Sequence, residues 1–539
     1  MPSLILVQGG ATLYRVNLAG GAATALTLPT GVTLSTSRKP RFANLNQWTV
    51  MVNSPTMNLV IDPEGIVRPL TLRPPLHPPT MAAGSGTGLT GAYKYRASFV
   101  ILDSEGALLS ESPLSPESVS VTLSNQNASL TDIPTSLDTI TARRLYRTAS
   151  GGSAYFHLMD VDGNSSTALI ENVADATLSL LPAQPAILAM PPGARPGVRF
   201  KAIVEWRSRL WAVADEPSQV DTVYVSETNK VYAWPNTIVA HPTGEDKEGI
   251  VAFIPRRNEL GILKRTGIWR IGASSGSTGV SLSNISVSQV GVGKGGCIAP
   301  DSVVAVNDRA WWLARDGVYE WSDEGITNVT NESVKAWFQT DTYFNRARFS
   351  NAFARYNELR NSYELHLANA GDTVENRWVS YNLNNRKWYG PHLTSLFDPT
   401  HAGQAIDANG LPVSLVGGAD DIVYTANSAN FRDGASTAIA FSATTPFYSL
   451  DAPDVEHYWG ELSMLSRVET GGTLTITPTV GGLNASAGTA ISHDLTKGRE
   501  RLRRIGIGRL MRLAFTQSTA NQGCSLFGFE LPIHELGRR

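Results

Sequence analysis

Val303-Val304-Ala305-Val306, Ala310-Trp311-Trp312-Leu313, Val318-Tyr319-Glu320-Trp321 and the run from Ile326 to Val329 follow one another with only short polar breaks. The breaks are Asn307-Asp308, Arg315-Asp316-Gly317 and Ser322-Asp323-Glu324-Gly325, built from residues that favour tight turns. Apolar runs of strand length joined by such turns read as a four-stranded meander, the unit of a β-propeller blade. A lone meander cannot bury both faces, so it must pack against similar units.

The 539 residues exceed one ordinary core, since a domain takes roughly 100–200 residues. Apolar residues make up 42% of the chain and charged residues only 17%, where about 25% charged is typical. Low charge with 48 Gly and 30 Pro predicts many short strands and tight turns. A net charge of −2 argues against sequence-independent DNA binding by the whole surface, so any polyanion contact is local. Cys297 and Cys524 stand far apart with no Cys-x-x-Cys or Cys/His cluster, so neither a disulfide scaffold nor a structural zinc site is expected. The start, Met1-Pro2-Ser3-Leu4-Ile5-Leu6-Val7, lacks the basic and apolar regions of a signal peptide, and no apolar run approaches the ~18 residues of a membrane span.

Strand pairs of the same style occupy residues 1–81: Thr12 to Val16 before Gly20-Gly21, then Trp48 to Val52, then Leu59 to Asp62 before Pro63-Glu64-Gly65. Pro74-Pro75, Pro78-Pro79, Gly84, Gly86 and Gly88 punctuate a junction. Period-two alternation follows, with Tyr93, Tyr95, Ala97, Phe99 and Ile101 on one face and Lys94, Arg96 and Ser98 on the other. Val119, Val121 and Leu123 alternate likewise, and Gly151-Gly152 joins Leu145-Tyr146 to Tyr155-Phe156. Residues 82–190 therefore read as an inserted immunoglobulin- or fibronectin-like sandwich, closed by a linker from Pro182 to Pro196. Blade-like pairs resume over 191–433, and alternation at Leu474 to Thr477, Leu510 to Phe515 and Leu526 to Leu531 predicts a C-terminal β-sandwich over 434–539. One short helix is predicted from Asn331 to Phe338, capped by Thr330, with Val334, Trp337 and Phe338 on one face.

No motif carries a convincing chemistry. Gly272-Ala273-Ser274-Ser275-Gly276 matches a nucleophile elbow in letters but lacks the helix that must follow, so a hairpin loop is expected. In Gly291-Val292-Gly293-Lys294-Gly295-Gly296, Gly295 stands where a phosphate loop needs Ser or Thr for magnesium. The nine histidines are scattered singly, so neither metal nor cofactor is expected, and the chain reads as a non-enzyme. Lys497, Arg499, Arg501, Arg503, Arg504, Arg509 and Arg512 gather against one acid, Glu500. They are the candidate contact for a polyanion, an acidic partner or a neighbouring subunit, with a charge-protected strand edge as the plain alternative.

Four passages give the chain a family likeness: Tyr93-Lys94-Tyr95-Arg96-Ala97 continuing to Ser110-Glu111-Ser112-Pro113; Arg144-Leu145-Tyr146-Arg147-Thr148 with Gly151-Gly152; Val223-Tyr224-Val225-Ser226-Glu227 followed by Leu260-Gly261-Ile262-Leu263-Lys264; and Trp312-Leu313-Ala314-Arg315-Asp316-Gly317-Val318-Tyr319. In these and in the order of its parts it resembles the tail nozzle (tail hub, packaged-DNA stabilisation) proteins of short-tailed double-stranded DNA bacteriophages. The resemblance implies an all-β virion protein made in the host cytoplasm, a hexameric ring below the head-to-tail adaptor whose channel retains and then passes the genome. It implies contacts with the adaptor, with tail fibre or tailspike proteins and, transiently and without sequence preference, with duplex DNA. Two rivals stand beside it: a receptor-binding or carbohydrate-active phage propeller, drawing aromatics from Trp311, Trp312, Trp321, Trp378 and Trp388, and a distal tail or baseplate protein of a long-tailed phage.

Overall fold

Val304–Val306, Arg309–Ala314, Gly317–Ser322 and Gly325–Asn328 form one antiparallel sheet in chain order, matching the predicted meander strand for strand. In this computed structural model the described residues are all except 1–3, 19–22, 55, 104, 166–167, 182–198, 216–219, 235, 240–248, 274–284, 293–294, 395–396, 408, 427–431, 434–436, 439–440, 451–452, 483–484, 520–523, 525 and 539. Four further sheets repeat the meander over residues 41–69, 200–239, 252–292 and 353–393. A three-stranded sheet, Leu4–Gly9, Thr12–Asn17 and Thr24–Ala25, precedes them, and Pro399–Ile406 pairs with Pro412–Gly418 after them. The chain is all-β and divides into two compact units, one of 1–393 with 399–423, the other of 394–398 with 424–539.

Successive side chains of a strand point to opposite faces, and the meanders use both. Trp311 packs with Leu313, Tyr363 and Leu365 toward the sheet that follows, whereas Trp312 packs with Ile254, Leu263 and Trp321 toward the sheet that precedes. Trp321 also reaches across to Gly261, where a Cβ would sit 2.6 Å from its ring, so that strand position must be glycine. The same two-sided burial joins 200–239 to 252–292 through Trp206, Trp211, Ile262 and Trp269, and 41–69 to 200–239 through Val50, Phe200, Tyr224 and Trp234. The first strands, Arg41–Leu45, Phe200–Trp206, Ala252–Pro255, Val304–Val306, Phe353–Asn357 and Pro399–Ile406, consequently neighbour one another in that order.

The inserted region begins with Thr80–Ala83 and packs two layers around Tyr93, Tyr95, Leu123, Leu130 and Leu145. The alternating stretch expected as one strand is two, Leu89–Tyr93 and Tyr95–Leu102, which pair in different sheets. Ser98, expected to face outward, is fully buried and donates to Glu111 Oε1 at 2.5 Å. Val119 is 83% exposed, because residues 112–118 do not alternate: Ser112, Ser115 and Ser118 each accept one N–H with the hydroxyl, from Phe99, Ala97 and Tyr95. This Ser-x-x-Ser-x-x-Ser run closes the sheet edge by side-chain chemistry. Phe99 and Ile101 join the core between the 41–69 and 200–239 sheets, so the insertion is seated on that seam as well as projecting from it.

The predicted helix is shorter, Lys335–Gln339, and Thr330 does not cap it. The Thr330 hydroxyl accepts the Val318 N–H at 2.8 Å, and the residue at the cap position is Val334. In the C-terminal unit, Phe441–Thr444, Leu510–Gln517 and Thr473–Gly481 lie in one sheet, and Arg499–Gly508, Val455–Ser466 and Leu526–Glu530 in another. Trp459, Leu462 and Met464 of the second share a core with Leu474, Ile476 and Phe515 of the first.

Among the described residues no apolar cluster joins the 353–393 sheet to the 399–418 hairpin. Its facing side buries Arg355, Asn357, Ser362, Glu364 and His366 instead. Arg355 donates to Glu364 from Nε at 2.8 Å and Nη2 at 2.6 Å, and Asn357 donates to the same carboxylate at 2.6 Å. His366 stacks on Phe353 at 4.6 Å between centroids and on Trp378 at 6.2 Å, and neither ring nitrogen has a hydrogen-bond partner. Burial, with Arg355, His401 and Lys39 nearby, holds His366 well below its usual 6.5. As pH falls below that value the unfolded chain gains a proton that folded His366 refuses, so stability drops; above it the term is constant. Urea unfolding followed by tryptophan fluorescence is expected to show the acid-side loss of stability shallower in His366→Phe than in the parent, by up to about 1.4 kcal/mol per pH unit for the one proton removed.

Candidate functional site

The basic run from Lys497 to Arg512 does not form one patch. Arg499–Gly508 is an edge strand, paired on one side only, with Val455–Ser466. Leu502 points into the core while Arg499, Arg501, Arg503 and Arg504 are exposed, the last two beside a bulge where the register slips opposite Leu462. Arg512 lies on the other sheet, its neighbours Met511 and Leu513 turned inward, so it faces the opposite side of the unit. Lys497 holds Glu500 at 2.5 Å, Arg499 holds Glu530 at 2.6 Å, Arg503 donates to the Thr489 carbonyl, and Arg512 lies 4.8 Å over the Phe447 ring. Arg509 is half-buried at the turn between the two strands. Arg501 and Arg504 are left projecting from the edge without an ion-pair partner among the described residues, Arg504 opposite Glu461 in register.

A second charged cluster is assembled only by the fold. It lies where the first strands of the sheets begin. Arg41 reaches Asp301 at 3.3 Å and donates to the Lys201 carbonyl at 3.2 Å, joining three sheets. Lys39 sits 3.9 Å from Asp301, donates to the Asn351 carbonyl at 3.2 Å and lies 5.1 Å over the Phe353 ring. Phe353 in turn meets His401 at 5.8 Å. Arg38 holds Asp215 and Lys264 holds Asp221, both at 2.5 Å, the Lys264 side chain having no exposure at all. Burial pulls the ammonium groups of Lys39 and Lys201 below the usual lysine range; Asp301 opposes the effect on Lys39. Each of the four carboxylates here, Asp215, Asp221, Asp301 and Glu375, is held by a cation, Glu375 by Arg348 at 3.0 Å.

Sequence reasoning missed this cluster. Its signal was present in Arg38-Lys39-Pro40-Arg41, Lys201, Lys264-Arg265 and Asp301, charges placed just before or at the start of a meander or in its second turn. Registering the meanders on one another would have aligned them.

Of the other candidates, Ser274 to Gly276 and Gly293-Lys294 lie outside the described residues, as does the whole Pro182 to Pro196 linker. Trp311, Trp312 and Trp321 are buried in the seams and offer no sugar platform, whereas Trp378 and Trp388 are half-buried. Burial pushes the Cys297 thiol up to about 12, which leaves it un-ionised and a poor nucleophile. No group of three or more His, Cys, Asp or Glu among the described residues is placed to hold a metal ion, and no helix among them is long and apolar enough to cross a membrane.

No protein family matches the chain, and no curated protein does. Among solved structures it is similar to an exo-beta-1,3-galactanase from Phanerochaete chrysosporium (TM-score 0.19, 9% identity, covering 84% of this chain and 100% of that one). It is similar also to a puromycin-hydrolyzing peptidase of Mycobacterium tuberculosis (0.25, 12%, 76% and 55%) and to PorZ, a surface component of the type-IX secretion system of Porphyromonas gingivalis (0.26, 10%, 97% and 80%). Overlaps this loose carry no argument about what this chain does.

The two kinds of arginine differ in what their loss does. Arg147 is fully buried and bridges Glu171 at 2.6 Å and Asp175 at 2.9 Å, so Arg147→Ala strands a buried carboxylate and is expected to cost about 3–5 kcal/mol. Arg501→Ala with Arg504→Ala removes exposed, unpaired groups and is expected to shift stability by less than about 1 kcal/mol. Chemical denaturation of the three proteins side by side checks both.

Proposed function

We propose that this chain is a structural subunit of a bacteriophage tail nozzle, one of six in a ring below the head-to-tail adaptor, whose channel retains the packaged genome and then passes it. Its sheets form a β-propeller carrying an inserted immunoglobulin-like sandwich, and 424–539 forms a C-terminal β-sandwich. The observation that carries the reading is the order of the parts. The 41–69 and 200–239 sheets neighbour each other although the whole inserted region separates them in sequence: the Asn53 N–H donates to the Phe200 carbonyl and the Phe200 N–H to Asn58 Oδ1, both at 2.8 Å. A blade series interrupted between neighbours by a seated sandwich is the arrangement that the nozzle resemblance implies.

Closure of the propeller is supported from its ends. A Cβ on Gly9, in the first sheet, would lie 3.9 Å from Asp421 Oδ1, just past the last hairpin. The reading makes the protein a part of the virion and not an enzyme. In a ring the subunits meet head to tail, so two different surfaces of each copy form the interface, and the arginine edge strand is one candidate face.

Immunogold labelling of intact and DNA-emptied particles with an antibody against this chain tests the proposal. Gold on a short tail below the neck is expected. Gold on peripheral fibres, on the far end of a long tail tube or nowhere on the particle would reject it.

A further inference from the structure

We propose that Asn409 is a site of spontaneous covalent modification, where the side-chain amide is lost through a cyclic imide and aspartate or isoaspartate is left in the turn of the last hairpin. Asparagine stands before glycine or serine at Asn53, Asn164, Asn361, Asn409 and Asn427, and of these Asn409 alone precedes glycine. Asn427 lies outside the described residues. The fold ties down three of the others. Asn53 Nδ2 donates to the Lys39 carbonyl at 2.7 Å, and Asn164 donates to the Ser136 carbonyl at 2.7 Å while accepting the Ser136 N–H at 2.8 Å. Asn361 donates to Asn384 Oδ1 at 2.6 Å and accepts the Tyr356 hydroxyl at 2.8 Å. Asn409 is exposed, and among the described residues its amide has one contact, a loose 3.5 Å to Asp407 Oδ2. Gly410 is exposed as well, and a Cβ built on it would meet nothing within 4 Å, so its nitrogen reaches Asn409 Cγ without steric obstruction.

The Gly410 nitrogen, its proton given up to solvent base, attacks Asn409 Cγ; a C–N bond forms and the side-chain nitrogen leaves as ammonia. Water then opens the imide at one carbonyl to give aspartate or at the other to give isoaspartate, so the net exchange is water for ammonia. The turn governs the pace. The Gly410 N–H donates to the Asp407 carbonyl at 3.0 Å, and Asp407 Oδ1 accepts the N–H groups of Asn409 and Leu411, both at 2.8 Å. Those bonds restrain the reacting nitrogen, so folding slows the reaction without preventing it. Two other turns are built alike: Gly65 donates to the Asp62 carbonyl at 3.0 Å and Gly106 to that of Asp103 at 3.1 Å, and the two aspartates accept the Ile66 and Ala107 N–H groups at 2.7 and 2.8 Å. Where the last hairpin has Asn409 these turns carry Glu64 and Glu105. A carboxylate is thus accommodated at this position, and the aspartate product keeps the turn. Isoaspartate adds a carbon to the main chain and pulls the Gly410 and Leu411 N–H groups off Asp407, which frees the hairpin at its last pair, Ile406 with Pro412.

The purified full chain is aged at mildly alkaline pH, folded and in urea, and peptide mapping by mass spectrometry reads amide-to-acid conversion at each asparagine, with isoaspartate counted by enzymatic methylation. In the folded chain conversion is expected at Asn409 several-fold ahead of Asn53, Asn164 and Asn361, and slower than at Asn409 in urea. Asp407→Ala, which removes the restraint of an exposed turn, is expected to bring the folded rate toward the urea rate. Hydrogen exchange at the Gly410 and Leu411 amides is expected to be faster in the aged protein than in the fresh one. No conversion of Asn409 in the folded chain while the urea sample converts, or equal conversion at the four asparagines, would overturn the site. An Asp407→Ala rate no higher than the parent's, or unchanged exchange after ageing, would overturn the role given to the turn. The proposal does not depend on the nozzle reading, which is decided by where the label falls on particles.

Discussion

Trp311 and Trp312 are neighbours in sequence and point to opposite faces of one sheet, each filling a different seam. That is the constraint on which the architecture depends. A four-stranded meander with large apolar residues on both faces needs two partners, one on each side, and its partners need two more. In the 200–239 sheet, Trp206 and Trp211 fill the seam on one side, and Phe200, Tyr224 and Trp234 that on the other. Such a series has only two ways to end: cover the last faces with something else, or bring the two ends together.

The exception to the apolar seams is informative. Between the 353–393 sheet and the final hairpin the buried groups are Arg355, Asn357, Glu364 and His366, which satisfy one another partly and leave the His366 ring supported by stacking alone. Buried polar contacts of this kind confer little net stability, because desolvation offsets most of the attraction. This seam, at the end of the sheet series, is thus open to modulation by pH through His366. The charged cluster at the strand starts adjoins it through Lys39 and Phe353, so the ionic chemistry of this unit is concentrated where the sheets converge.

The meanders were legible because their signal is local. Asn307-Asp308 turns with both residues at positive φ, and Gly317 and Gly325 likewise, and these residues show in sequence as turn formers. The two strands around Lys94 were not separable, since a chain that passes from one sheet to another without a turn residue keeps its alternation. The serine ladder at 112–118 was missed for a related reason: its period is three, and its pairing comes from hydroxyls that mimic backbone groups. The basic run was legible as composition and misleading as geometry, because Leu502 and Leu513 show the inward parity within each strand but nothing in sequence tells that the strands of Arg501 and Arg512 belong to opposed sheets. The cluster around Asp301 has members up to hundreds of residues apart, so its signal shows only once the meanders are set in register on one another.

The proposed closure of the sheet series is probed most directly at Gly9, where a Cβ would lie 3.9 Å from Asp421 Oδ1. The direct measurement is disulfide formation in a Gly9→Cys, Asp421→Cys variant oxidised under native conditions, read as a difference in mobility between non-reducing and reducing gels and mapped by mass spectrometry. Rapid, intramolecular cross-linking in the folded protein that disappears in denaturant is the result expected of a closed ring. Free thiols in the folded chain, or cross-links formed only between molecules, would show that the ends stand apart and that the outer faces are covered in some other way.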